Sequence, residues 1–151
     1  MLIGVISDTH GLLRPEALQA LAGSRLIVHA GDVGDPGILD ALRAIAPVVA
    51  VRGNIDKAGT LRENELIEEG EVSIYVLHDV NQLDLDPAAA GIQAVISGHS
   101  HKPSIRTQDG VLYLNPGSAG PRRFKLPITV ARLHVSGKRL VAEHIDLLDT
   151  I

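Results

Sequence analysis

Leu2-Ile3-Gly4-Val5-Ile6-Ser7-Asp8-Thr9-His10-Gly11 opens the chain with an apolar run that stops abruptly in small polar residues. A short run rich in Ile and Val, without polar alternation, predicts a buried strand that delivers polar side chains at its carboxyl end. The arrangement returns at Leu26 to Ala30, which runs into Gly31-Asp32-Val33-Gly34-Asp35, and at Val48 to Val51, which ends in Arg52-Gly53-Asn54-Ile55-Asp56. Between these runs, Pro15 opens a predicted helix over about Arg14 to Ala22. Pro36 to Ala46 carries apolar residues at Ile38, Leu39, Leu42 and Ile45, the 3.6-residue period of an amphipathic helix. Strand, turn and helix are thus expected to alternate three times. Parallel sheets bind ligands beyond the carboxyl ends of their strands, so Asp8, His10, Asp32 and Asn54 are placed to meet on one edge.

Further along, Leu61 to Gly70 is polar and acidic and ends in an expected turn at Glu68-Glu69-Gly70. Val72, Ile74 and Val76 alternate with Ser73 and Tyr75, a half-buried strand ending at Leu77-His78-Asp79. Asp84 to Gly91 reads as a loop or a short helix from about Pro87. Ala94-Val95-Ile96 leads into Ser97-Gly98-His99-Ser100-His101. In an extended segment, side chains two apart point the same way, so His99 and His101 can aim both imidazoles at one spot, and Asp8 and His10 likewise. Taken alone, each string reads more readily as a polar turn, and Asp8 as a helix cap. Ser104 to Thr107 and Val111 to Leu114 flank Asp109-Gly110, a hairpin signal, and Asn115-Pro116-Gly117-Ser118 is a loop. Ile128 to Val135 and Arg139 to Leu147, joined by Ser136-Gly137-Lys138, form a last hairpin whose edge could pair across a homo-oligomer.

Composition narrows the chemistry. The 151 residues suit one domain, 1–151, with no repeat or linker, and aromatic residues supply only 2% of them, so the core must be aliphatic. There is no cysteine, which excludes disulfides, thiolate ligands and cysteine nucleophiles; any metal would be held by nitrogen and oxygen. The net charge of -4, without a basic run, argues against extended nucleic-acid or membrane-surface binding. The longest apolar run, Ala44 to Val51, is broken by Pro47 and too short to span a bilayer, and no leader is evident at Met1. The expectation is a soluble cytoplasmic protein.

Read together, the strand ends give D-x-H at Asp8 and His10, G-D at Asp32, G-N-x-D at Asn54 and Asp56, a histidine at His78, and G-H-x-H at His99 and His101. In this order they resemble the calcineurin-like metallophosphoesterases, in particular the small single-domain phosphodiesterases of the YfcE type. Asn115 to Ser118, followed by Pro121-Arg122, resembles the same subgroup. The resemblance implies an α/β fold, a four-layer αββα sandwich of two mixed β-sheets flanked by helices. It also implies two divalent ions, with manganese preferred and iron, cobalt, nickel or zinc possible. Asp32 would bridge them, Asp8, His10 and His101 would complete one site, and Asn54, His78 and His99 the other. The implied activity is hydrolysis of a small phosphodiester by a hydroxide that the paired ions activate, with no protein nucleophile. Two rivals are a phosphomonoesterase and a non-catalytic metal-binding scaffold for protein interaction, such as the retromer subunit of this fold.

Two departures stand out. Ile55 occupies the position where larger relatives carry a histidine near the leaving group, and Asp79 stands where the family usually has glycine. Asp79 could weaken phosphodiester binding by repulsion, but is expected rather to orient a neighbouring imidazole or to cap a turn. Asp35 and Asp56 are open to the same two roles. Asn54 and Arg122 are candidates for contact with a substrate phosphate, although Arg123 and Lys125 beside Arg122 equally describe an exposed basic loop. His29 reads as a hydrogen-bonded strand histidine, and His134 and His144 as structural or surface residues.

Overall fold

A computed structural model describes residues 1–148. Strands β1 (Leu2–Ile6), β2 (Leu26–His29) and β3 (Val48–Ala50) lie parallel, alternating with helices α1 (Pro15–Leu21) and α2 (Pro36–Arg43). They are followed by β4 (Asn64–Glu69), β5 (Val72–Leu77), a 3-10 turn (Val80–Gln82), β6 (Ala94–Ile96) and the hairpin β7 (Ser104–Gln108) and β8 (Val111–Asn115). The hairpin β9 (Thr129–Ser136) and β10 (Arg139–Asp146) returns the chain to the first sheet. The sheet orders are β10-β9-β1-β2-β3 and β4-β5-β6-β8-β7. In each, parallel strands carry antiparallel neighbours, the two mixed sheets expected.

The layers follow from which faces are apolar. Ile3, Val5 and Val28 of the first sheet meet Ile74, Val76, Ile96 and Leu114 of the second, all but sealed from solvent. Full burial of one such side chain is worth about 1.5–3 kcal/mol, so an aliphatic core needs no aromatics. On the outer face of the first sheet, Ala17 and Leu21 of α1 and Ile38, Leu39 and Leu42 of α2 pack on Ile6, Ile27 and Val130. The outer face of the second sheet is covered by Val80, Leu83 and Leu85, so a 3-10 turn and its loop form the fourth layer in place of an α-helix.

Several local expectations change. No helix follows β3; the acidic stretch after it forms β4, held by pairing with β5, and only Ile67 of that strand is buried. Glutamate-rich sequence carries weak strand propensity, so pairing decided the outcome. Helix α2 ends at Arg43 because the amide of Ala44 turns back to Ala41 O and Leu42 O, three residues short of the expected end. Asp35 is its cap, accepting from Gly37 N at 2.9 Å. Asp8 does not cap α1: the capping position is Arg14, which makes no side-chain cap bond. Residues 84–91 form turns without a helix. No helix among the described residues is long and apolar enough to cross a membrane. β10 is an edge strand of the first sheet.

Candidate metal centre

The parallel strands of both sheets end at the same edge, and the loops beyond them converge. Asp8 follows β1, Asp32 follows β2, His78 follows β5, and His99 and His101 follow β6. The reason for convergence is not the alternation of an extended strand. Asp8, His10, Asp32, His99 and His101 have φ of 56°, 46°, 57°, 72° and 64°. Each is therefore in the left-handed region, which side-chain-bearing residues rarely occupy unless surrounding structure enforces it. Backbone bonds between loops do so: Asp8 N donates to Gly31 O and His10 N to Asp32 O, both at 2.9 Å.

Asp8 is fully buried. Its Oδ2 accepts from Ser7 Oγ at 2.6 Å and from His99 N at 3.1 Å, which fixes the carboxylate plane. Its Oδ1 lies 3.4 Å from His101 Nε2, 3.8 Å from His10 Nε2 and 3.9 Å from His78 Nε2. Asp32 accepts from Ile55 N through Oδ1 at 3.0 Å, while Oδ2 stands 3.3 Å from Nε2 of both His10 and His78. Ala30 O lies 2.7 Å from His78 Nδ1 and can only accept, so Nδ1 carries a proton; in the neutral ring the Nε2 lone pair faces the carboxylates, and in the protonated ring Nε2 donates to Asp32. His99 joins at the margin, its Nδ1 3.3 Å from His78 Nε2 and its Nε2 3.8 Å from Asp79 Oδ2.

These contacts shift the ionisable groups. Burial alone would raise the Asp32 carboxyl, but the hydrogen bond to His78, the Ile55 amide and the nearby imidazoles hold it well below the usual carboxylate range. Burial would lower His78, yet its bonds to Asp32 and Ala30 and the charge of Asp8 raise it. His101 is lowered by burial, opposed by Asp8 and reinforced by Arg123 and His10. Asp8 Oδ1 and His10 Nε2 are buried with no hydrogen-bond partner among the described residues. A buried, unpaired carboxylate oxygen is costly, and a cation held among nitrogen and oxygen donors would satisfy it. Two residue groups have ligand atoms within 4.8 Å of one another and could hold a metal ion: Asp8, His10 and His101, and Asp8, Asp32 and His78.

The chain belongs to the calcineurin-like phosphoesterase superfamily. That superfamily's domain model matches residues 1–138. A probable metallophosphoesterase of Methanothermobacter thermautotrophicus is 40% identical, the match covering 95% of this chain and 91% of the relative. Among solved structures, wild-type Vps29 of Entamoeba histolytica complexed with zinc matches at TM-score 0.83 and 26% identity, covering 100% of this chain and 95% of that one. An archaeal phosphodiesterase matches at TM-score 0.80 and 21% identity, covering 96% and 100%. This superfamily is metal-dependent, and the fold and the family expected from the sequence both hold.

Asn54 and Arg122 lie apart from the buried cluster. Asn54 is exposed, although Gly53 before it packs so closely on Asp32 that a Cβ there would stand 2.8 Å from Asp32 Cα. Arg122 is exposed and makes no hydrogen bond or ion pair among the described residues. Asp56 orients no histidine: it accepts from Val33 N at 3.0 Å and Gly53 N at 2.9 Å, tying the Asp32 loop to the Asn54 loop. Asp79 accepts from Asn81 N at 3.0 Å, capping the 3-10 turn, and its Oδ2 lies 3.8 Å from His99 Nε2. His134 stands 3.7 Å from Glu143 at the surface.

The sequence did not announce the supports beneath the site. Asn115 donates to Gly98 O at 2.9 Å and to Ser100 Oγ at 3.1 Å, and His144 Nε2 bonds Asn115 O at 2.7 Å. Ser118 Oγ donates to Asp8 O at 3.0 Å. His29, buried, accepts from Gly31 N at Nδ1 and so donates from Nε2 to Thr9 Oγ1, at 3.1 and 3.0 Å. The resemblance of Asn115-Pro116-Gly117-Ser118 to the subgroup was the available signal for this loop.

Proposed function

We propose that the chain is a phosphodiesterase acting on small substrates, with two divalent cations held by Asp8, His10, Asp32, Asn54, His78, His99 and His101, manganese preferred. One observation carries this reading: Asp32 Oδ2 stands 3.3 Å from Nε2 of both His10 and His78, one imidazole from each of two groups that could hold a cation and that share Asp8. When bound, paired divalent ions supply Lewis acidity for phosphoryl oxygens and lower the pKa of water at the site. The protein's part is orientation. Asp8 Oδ2 is held by Ser7 and the His99 amide, so Oδ1 stays aimed inward. His78 is held by Ala30 O with Nε2 free. Asp79 faces His99 Nε2, which favours a proton there and leaves the Nδ1 lone pair for the site. The Asn54 amide, exposed at the rim, is available to donate to a phosphoryl oxygen. Ile55 offers no acid for the leaving alcohol, which favours substrates whose leaving groups need little help.

Metal analysis after reconstitution with manganese should find about two ions per chain, and the loaded protein should hydrolyse an aryl phosphodiester faster than the matching monoester. Trace metal after reconstitution would remove the centre, and a monoester preference would replace the substrate class. The likeness to Vps29 complexed with zinc favours a second reading, a metal-binding scaffold without turnover. Two bound ions with no hydrolysis of either ester would select it.

A further inference from the structure

A cavity of about 320 Å³ opens beside the proposed centre, with Asn54, His78 and Asp79 in its wall. That is at the lower end of volumes that hold small ligands, roughly 300–1,000 Å³. Its charge is unbalanced. Arg52 is the cation in the wall and is already engaged, Nε donating to Asp56 O at 3.0 Å and Nη1 lying 3.6 Å from Glu63. Glu63, Asp79 and Asp84 supply carboxylates, so negative groups outnumber positive ones. The neutral polar lining is Tyr75, Gln82 and Asn64. Burial and then the charge of Asp84 push the Tyr75 hydroxyl up, so it keeps its proton. A wall rich in acceptor oxygens matches ligand groups that donate hydrogen bonds, and a second anion would be desolvated against carboxylates.

We propose that this cavity receives the alcohol portion of the phosphoester and selects portions bearing hydroxyl or ammonium groups and no second anionic charge. The proposal rests on the phosphoesterase reading above, because His78 and Asn54 belong to both the wall and the centre. Methyl phosphoethanolamine and methyl phosphoserine, diesters whose other alcohol bears no hydroxyl or ammonium group, differ by one carboxylate and provide the test. The ratio of their kcat/KM values should favour the ethanolamine ester by about tenfold or more. The double variant Glu63→Gln/Asp84→Asn should move that ratio toward one; both side chains are exposed, so the fold should tolerate the change. Saturation-transfer NMR of methyl phosphoethanolamine with metal-free protein should mark the ethanolamine methylenes, and Gln82→Ala or Tyr75→Phe should weaken the signal. Equal kcat/KM values, a ratio that the double variant leaves unmoved, or an absent NMR contact would overturn the assignment. Retained NMR contact with no turnover of any diester would instead overturn the phosphodiesterase reading and leave the cavity's contact with the ethanolamine portion standing.

Discussion

The two halves of the proposed centre are built differently. Asp8, Asp32, His78 and His101 are buried, and the first three are pinned by bonds that do not involve a ligand: Ser7 Oγ on Asp8, the Ile55 amide on Asp32 and Ala30 O on His78. Asn54 and His99 sit at the rim; the His99 side chain is 42% exposed, and Asp79 faces its outer nitrogen at 3.8 Å. The first half is ready before anything binds, and buried groups such as Asp8 Oδ1 remain unpaired there. Each unpaired buried group costs about 1–3 kcal/mol, a stability sacrifice expected where a site awaits an ion. The second half stays wet, so its geometry depends more on whatever binds.

The comparison can be broken first at Asp32, the proposed bridge. Asp32→Asn removes one anionic oxygen from the buried half, and turnover of an aryl phosphodiester should fall by about a thousandfold or more, several kcal/mol of lost charge stabilisation. Undiminished turnover would take Asp32 out of that role.

A smaller effect tests what pins the buried half. His29 is neutral in the fold because burial pulls its pKa from 6.5 down to about 4. Between those values the unfolded chain binds the extra proton, so this contribution is complete above pH 6.5 and is lost as pH falls toward 4. It amounts to about 3 kcal/mol. Urea melts of metal-free protein should therefore lose stability over that window, and His29→Gln should flatten the loss relative to wild type. Parallel pH profiles would refute the account.

The smallest effect concerns the rim. Asp79→Ala loses both the cap on Asn81 N and the charge facing His99, whereas Asp79→Asn keeps a capping oxygen and loses only the charge. The alanine variant should lower Tm by about 2–4 °C, the equivalent of about 1 kcal/mol, while the asparagine variant should leave Tm nearly unchanged. Both should weaken metal binding. Equal Tm losses would deny Asp79 its capping role, and unaltered metal affinity would deny it any part in orienting His99.

Much of the architecture was readable in single stretches. Leu2 to Ile6, Leu26 to His29 and Ala94 to Ile96 announced buried strands because nothing polar interrupts them, and the polar clusters after them marked the functional edge. β4 was hidden because Asn64 to Glu69 lacks strand composition and exists through its pairing with β5. The supporting role of Asn115 was equally hidden, because its partners Gly98 and Ser100 lie far away in the chain. Of the two residues assigned to phosphate contact, Asn54 reaches the rim of the centre, whereas Arg122 stays on an exposed loop.

The sequence by itself determined which side chains stand at the strand ends and that any metal must meet nitrogen and oxygen, since residue type and apolar runs are local properties. How those side chains reach one another was decided only by the tertiary structure. Asp8, His10, Asp32, His99 and His101 turn inward through left-handed backbone, a conformation disfavoured locally and held by bonds between loops distant in the chain.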